Sequence, residues 1–231
     1  MVGILLALQV NNWNENRARN QKLKVHLINL KQSMEKDLIS WRSEKKSDIF
    51  RYYALQHLLH LAAQPPLKLH SDEKMFPYTQ SRNWEGAFPE YPDRQFLSMA
   101  FRTSYRGGTL RINTTTIEEL KSTGLFSYLG DELKTSLSDF YHAYNWRIGD
   151  QKQIILEIRN RWEVALSTSG VVPSDVSNIE NPIDLLSNNP ERVAILKQLI
   201  RQARWRAISA NSLEKLGDRL IQEIDEEVSR I

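Results

Sequence analysis

The sequence predicts an all-α protein: an antiparallel bundle of three long helices plus one interrupted helix, with two long loops at one end. Three observations carry this. Apolar residues recur at steps of three and four over stretches of many turns. Glycine is sparse, with 9 in 231 residues, which suits long helices and disfavours an α/β enzyme built on glycine-rich cofactor loops. No alternating run marks a strand pair, and no internal repeat is present.

The bulk composition bounds the rest. A chain of 231 residues, 41% hydrophobic and 26% charged, is long enough to bury a core without staples. It contains no cysteine. This excludes disulfides, thiol catalysis and thiolate metal sites, and leaves the compartment open. The net charge of +3 is too mild to argue for nucleic acid. The charge is uneven: residues 1–60 carry ten Lys/Arg against five Asp/Glu, and residues 211–231 carry three against six.

The first helix is expected from about Trp13 to Ala63. Its stripe is Leu23, Leu27, Leu30, Met34, Leu38, Trp41, Ile49, Tyr52, Leu55, Leu59 and Ala62. Pro65 and Pro66 then forbid continuation. The irregular stretch 64–91 follows. Five prolines fall between Pro65 and Pro92, with Phe76, Tyr78, Trp84, Phe88 and Tyr91 among them. Loops this long are often functional. Residues 93–105 read as a helix with Phe96, Leu97, Ala100, Phe101 and Tyr105 on one face, broken by "RGGT" at 106–109. Thr115 and Glu118 have capping-box spacing for a short helix over 116–122, with Gly124 as its C′ residue. A third long helix is expected from Asp131 to Ser167, with a stripe through Leu133, Leu137, Phe140, Tyr144, Ile148, Gln151, Ile155, Ile158, Trp162 and Ala165. Its near-3.5 repeat predicts closely aligned neighbours. "STSGVVPSDVSNIENP" ends it. Asn189-Pro190 opens the last helix with a cap and an N1 proline. Short connections between antiparallel neighbours would put loops 64–91 and 169–189 at the same end. The domain expectation is residues 1–13 as one segment and 14–231 as a single bundle.

The opening "MVGILLALQVNNWNENRARN" is apolar from Val2 to Val10 except for Gln9. At ~1.5 Å per residue this covers ~15 Å, half of a ~30 Å hydrocarbon core. Trp13, Arg17, Arg19, Lys22 and Lys24 follow, as interface and flank residues do beside a span. The pattern has neither the basic leader nor the cleavage site of a signal peptide. Val2, Ile4, Leu5, Leu6, Leu8, Val10 and Trp13 are therefore expected to form the C-terminal half of a transmembrane helix and its interface, with the upstream half missing.

The same residues carry a resemblance. "VGILLALQVNNWNENR" at 2–17 is similar to the signature of a bacterial family of uncharacterised single-pass membrane proteins. Their span ends in a Gly-Ile-Leu-x-Ala-Leu-Gln-x-Asn-x-Trp-Asn pattern. Gly3, Leu5, Ala7, Leu8, Gln9, Asn11, Asn12, Trp13 and Asn14 fit it. "IEELKSTGLFSYLGDELKTSLSDFYHAY" at 117–144 resembles the family's helix, Ser-x-Gly turn and second helix. The resemblance implies a basic cytoplasmic flank before one inner-membrane span and a mostly helical domain on the extracytoplasmic side, in the cell envelope. It implies no activity.

Residues with chemical potential are few. His57 and His60 are three apart on a helix and could face one metal, but no third ligand follows a metal spacing. His142 lies in the aromatic run "DFYHAYNW". No nucleophile elbow, phosphate-binding glycine loop or His-Glu-x-x-His motif occurs, so no catalytic residue, metal or cofactor is expected. "RQARWRAIS" at 201–209 interleaves Arg201, Arg204 and Arg206 with Trp205 and would suit phosphates and bases, or a solvated helix face. The loop cluster Trp84, Phe88, Tyr91 and Arg94 is the expected partner surface, because aromatics and arginine dominate hot spots. Together these features predict a non-enzymatic, membrane-anchored binding or scaffold protein that takes a protein, peptide or small ligand at the loops. Two alternatives stay open: a soluble metal or enzymatic protein using His57/His60, and nucleic-acid binding through 201–206. The long stripes also permit a homo-oligomer.

Overall fold

The computed structural model describes residues 2–68, 75–106, 110–149 and 151–231; within them the side chains of Val2, Leu5 and Ser177 are outside the description. The fold is all-α. Its helices are α1 (Val2–Leu61), α2 (Arg94–Ser104), α3 (Thr115–Ser122), α4 (Asp131–Tyr144), α5 (Lys152–Ser167), the short α6 (Asp184–Ser187) and α7 (Pro190–Arg230). Among the described residues there is no strand, only an isolated bridge between Ser81 and Trp84. Gly107, Gly108 and Thr109 of the "RGGT" breaker lie outside the described residues, as does the 69–74 part of loop 64–91.

The stripe of α1 forms core as expected, except that Tyr52 is half-buried. Leu23, Leu27, Leu30, Met34, Leu38, Trp41, Ile49, Leu55, Leu59 and Ala62 are all buried. Asn189 caps α7, its Oδ1 accepting the Arg192 N–H at 3.0 Å. Gly124 takes φ 74° one residue past the C-cap of α3, a left-handed conformation that glycine adopts without steric cost. The capping box is replaced: Thr114 is the N-cap without a side-chain bond, and Asn113 Oδ1 accepts the Thr115 N–H at 3.0 Å instead.

One expected long element differs. The helix expected over 131–167 is α4 and α5, separated by a π-helical turn at Asn145–Gly149 in which no residue is buried. Trp146 there is 57% exposed. A π turn places an extra residue in the turn, and Gly149 weakens an α-helical interior. The apolar stripe therefore loses its seam at Ile148 and Gln151 and resumes at the buried Ile155. The helices expected at 93–105 and 116–122 are α2 and α3.

The chain divides into two compact units, one of Met1–Ser40, Arg111–Tyr144 and Leu213–Ile231, the other of Trp41–Leu110 and Asn145–Ser212. In the first unit, α1 and α7 run antiparallel. Lys31 Nζ meets Asp225 at 2.6 Å, and Leu38 packs so close to Gly217 that a Cβ there would lie 2.8 Å from Leu38 Cδ2. Leu120, Leu133, Leu137 and Phe140 supply buried side chains from α3 and α4.

In the second unit, α1 and α7 are also antiparallel, since Asp48 pairs with Arg206 and Arg51 with Gln202. Its core gathers Phe50, Leu58, Phe96, Phe101, Trp162, Leu186, Leu196 and Leu199. Trp162 Nε1 donates to Ser104 Oγ at 2.7 Å. Arg192, only 6% exposed, donates to the Ala165 carbonyl at 2.8 Å and the Leu185 carbonyl at 3.1 Å. It also donates to Thr168 Oγ1 at 3.1 Å and to Ser169 Oγ. One guanidinium thus satisfies the end of α5 and ties segment 168–186 to α7.

The expected single-pass placement in a bacterial inner membrane is overturned: no described helix is long and apolar enough to cross a membrane. The reason is visible in α1, where the apolar run stops at Val10 and the same helix continues through Asn11, Asn12, Asn14, Glu15, Asn16 and Arg17. Ile4, Leu6, Leu8, Val10 and Trp13 are between 56% and 69% exposed on this helix.

Candidate functional site

The expected partner surface divides into two halves. Trp84 and Phe88 turn inward. The Trp84 ring meets Phe96 edge-on at 5.2 Å, and its Nε1 donates to the Ala87 carbonyl at 3.1 Å. Phe88 lies 4.9 Å from Tyr78, 5.1 Å from Phe96 and 5.9 Å from Phe50. These rings close the core of the second unit. Tyr91, 75% exposed, and Arg94, also exposed, remain on the surface.

The loop is a built turn. Ser81 and Trp84 exchange backbone hydrogen bonds at 3.3 and 3.2 Å. The buried Ser81 Oγ accepts the Asn83 N–H at 3.1 Å, and Tyr78 Oη donates to the Trp84 carbonyl. Tyr53 Oη donates to the Phe76 carbonyl at 3.0 Å, and Gln56 holds both the N–H and the carbonyl of Leu67. This anchoring places the turn beside α1, where Arg82 Nη2 pairs with Glu44 Oε1 at 2.8 Å.

The turn and α2 together form a cleft of about 280 Å³, lined by Glu44, Arg82, Asn83, Met99, Arg102 and Arg106, with Ser47 and Thr103. A second cleft of about 500 Å³ shares Met99 and Arg102 and adds Arg94, Gln95 and Ser98. Helical geometry explains the alignment. Phe96, Leu97, Ala100, Phe101 and Ser104 face the core. Positions 94, 98, 102 and 106 recur at intervals of four, so the first three share the outer face of α2 and Arg106 follows two residues past its end. Asp93 Oδ1 caps the helix by accepting the Phe96 N–H at 2.7 Å. Three guanidiniums and one carboxylate therefore face one small cleft, and its charge balance favours an anionic group.

The sequence candidates elsewhere resolve differently. His57 Nε2 donates to the Pro89 carbonyl at 2.8 Å, and its ring packs edge-on against Phe96 at 5.3 Å. Burial holds His57 below the usual histidine range, with the Pro89 carbonyl opposing and His60 adding to the shift. Its role here is to fasten the loop to α1. Among the described residues no group of three or more His, Asp or Glu side chains is placed to hold a metal. His142 is exposed.

The 201–206 patch is not one surface: Arg201 is exposed, but Arg206 is 3% exposed and Arg204 and Trp205 are half-buried. Arg206 Nε bridges Asp48 at 3.0 and 3.2 Å. Asp48 also lies 3.8 Å from Arg51 Nη1, and Arg51 Nη2 donates to Gln202 Oε1 at 3.1 Å. Burial pushes the Arg51 guanidinium down to about 10, with Asp48 opposing. Burial likewise lowers Arg159. These groups form a polar layer inside the second unit. Sequence reasoning missed it. Its trace is the step of eight in the first stripe from Trp41 to Ile49.

The first unit has its own cleft of about 430 Å³, lined by Asp131, Glu132, Glu223, Glu226, Glu227 and Arg230 with Gly130 and Leu133. Glu227 is occupied within it. It accepts the Gly130 N–H at 3.1 Å and pairs with Arg230. No family model, curated protein or solved structure matches the chain.

Proposed function

We propose that this chain is a non-enzymatic binding protein whose second unit takes an acidic ligand at the α2 cleft. The observation that carries the reading is the convergence of Arg82, Arg102 and Arg106 on one cleft of about 280 Å³, with Arg94 and Arg102 lining its neighbour. Guanidinium forks bind carboxylates and phosphates in a fixed, often bidentate geometry. The rigid backing of the site supports recognition rather than a solvated charge run. The turn at 81–84 is tied to α1 and α2, and the α2 core face is fully packed.

Isothermal titration of the full chain with sulfate, acetate and dicarboxylates tests this reading. Each charge-assisted hydrogen bond is worth about 1.5–3 kcal/mol, so the pair Arg102→Ala and Arg106→Ala should weaken binding at least ~150-fold. The helical circular dichroism should be unchanged, because both side chains are exposed. Anion affinity that survives the double substitution refutes the assignment to this cleft.

A further inference from the structure

Glu44 is out of place in an anion site, and its position specifies more than charge. It sits on α1 with 9% exposure. Its Oε1 is held by Arg82 at 2.8 Å. Its Oε2 is screened from solvent and has no hydrogen-bond partner. An ionised carboxylate has room for about four donors, and a buried, charged oxygen left without one carries its desolvation cost uncompensated. Once the exposed Arg82 side chain swings aside, the cleft presents two opposite demands: a donor for Glu44, and an acceptor for Arg102 and Arg106.

We infer that the cleft takes a small zwitterion of the α-amino-acid class, an inference that rests on the anion-binding reading above. The ligand ammonium meets Glu44, and the ligand carboxylate meets the guanidiniums of Arg102 and Arg106. A purely anionic ligand brings its charge against Glu44, and a purely cationic one brings its charge against three arginines. A zwitterion with both groups on one carbon satisfies both. Arg82 is the group that yields, because its side chain is 63% exposed. When the ammonium takes Glu44, Arg82 turns toward the carboxylate. Met99 lines both clefts and offers an adaptable apolar contact to the ligand side chain. The volume of about 280 Å³ is at the floor for ligand pockets and suits a metabolite of amino-acid size.

The test is isothermal titration of the full chain with L-alanine, L-leucine and L-glutamate, each beside its des-amino acid: propionate, 4-methylpentanoate and glutarate. At least one amino acid should bind tenfold or more tightly than its counterpart. Glu44→Gln should erase that ratio while leaving carboxylate binding in place. Should Glu44→Gln lower the melting temperature, the ratio on the unaltered chain decides by itself. Equal affinity within every pair overturns the zwitterion and leaves the anion site standing. No binding of either member of any pair overturns the anion-binding reading and this inference with it.

Discussion

Asp48 is the residue whose loss should be felt most in the second unit. It is 1% exposed, and Arg206 Nε reaches both its oxygens at 3.0 and 3.2 Å, with Arg51 Nη1 at 3.8 Å. At an effective dielectric near 20, a pair 3 Å apart attracts by about 5 kcal/mol. Desolvating each ion costs several kcal/mol, so the intact cluster contributes little net stability. Asp48→Asn changes that balance. It removes the negative charge and leaves Arg206 and Arg51 buried, which should cost about 3–5 kcal/mol. Against a total stability of about 5–15 kcal/mol, the midpoint in urea should fall by a fifth or more at unchanged slope. Tryptophan fluorescence is the right probe, because Trp41 and Trp162 are almost fully buried in this unit. Replacing Asp48, Arg51 and Arg206 together (Asp48→Leu, Arg51→Leu, Arg206→Met) should by contrast cost less than Asp48→Asn alone, because neither of these two buried guanidiniums is then left without its counter-charge. A loss below about 1 kcal/mol for Asp48→Asn would refute the view that this carboxylate neutralises buried cations.

Two further outcomes follow from the second unit. His57 has a lowered proton affinity in the fold, so below the unfolded value of ~6.5 the unfolded chain binds more protons. Stability should be full above that value, decline as pH falls through it, and level off below the folded value. His57→Gln should flatten the urea midpoint between pH 7.5 and 5, and an unchanged slope would place the acid sensitivity elsewhere. Arg192→Lys should destabilise the unit, because a single ammonium cannot span the four oxygens that the guanidinium holds. A loss of about 2 kcal/mol or more is expected in thermal melts, and a loss near zero would show that segment 168–186 stays in place without this clasp.

How far the sequence could be read depended on whether a property was local. The apolar stripe of α1 and the Asn189 cap of α7 follow from spacing alone, and both stand as expected. The π turn at Asn145–Gly149 was hidden, because the three-and-four spacing of the stripe continues through Ile148 without marking where the seam ends. By residue type alone, Trp84 and Phe88 suit an outward surface. Loop aromatics cap a core as readily as they bind, and only the partners Phe96, Tyr78 and His57 decide between the two. Arg94, Arg102 and Arg106 carried a legible signal, intervals of eight and four opposite the core face. Glu44 and Arg82, 38 positions apart, become neighbours only when the turn at 81–84 folds back on α1.

The pairing of α1 with α7 sets a schedule for the chain. Asp48 and Arg206 are 158 positions apart, and Lys31 and Asp225 are 194 apart. At a synthesis rate of about 5–20 residues per second, the first helix emerges on the order of ten to thirty seconds before its partner exists. During that interval Leu23, Leu27, Leu30, Met34, Leu38 and Trp41 have no α7 to cover them. Both units draw on the last helix, so neither can close before synthesis has passed Pro190. Nascent chains arrested before Pro190 should be cleaved readily by protease, and resistance at that length would show that α7 is dispensable for closure. The molecule is therefore most exposed to aggregation early in its life, when a chaperone has the longest stretch of open helix to hold.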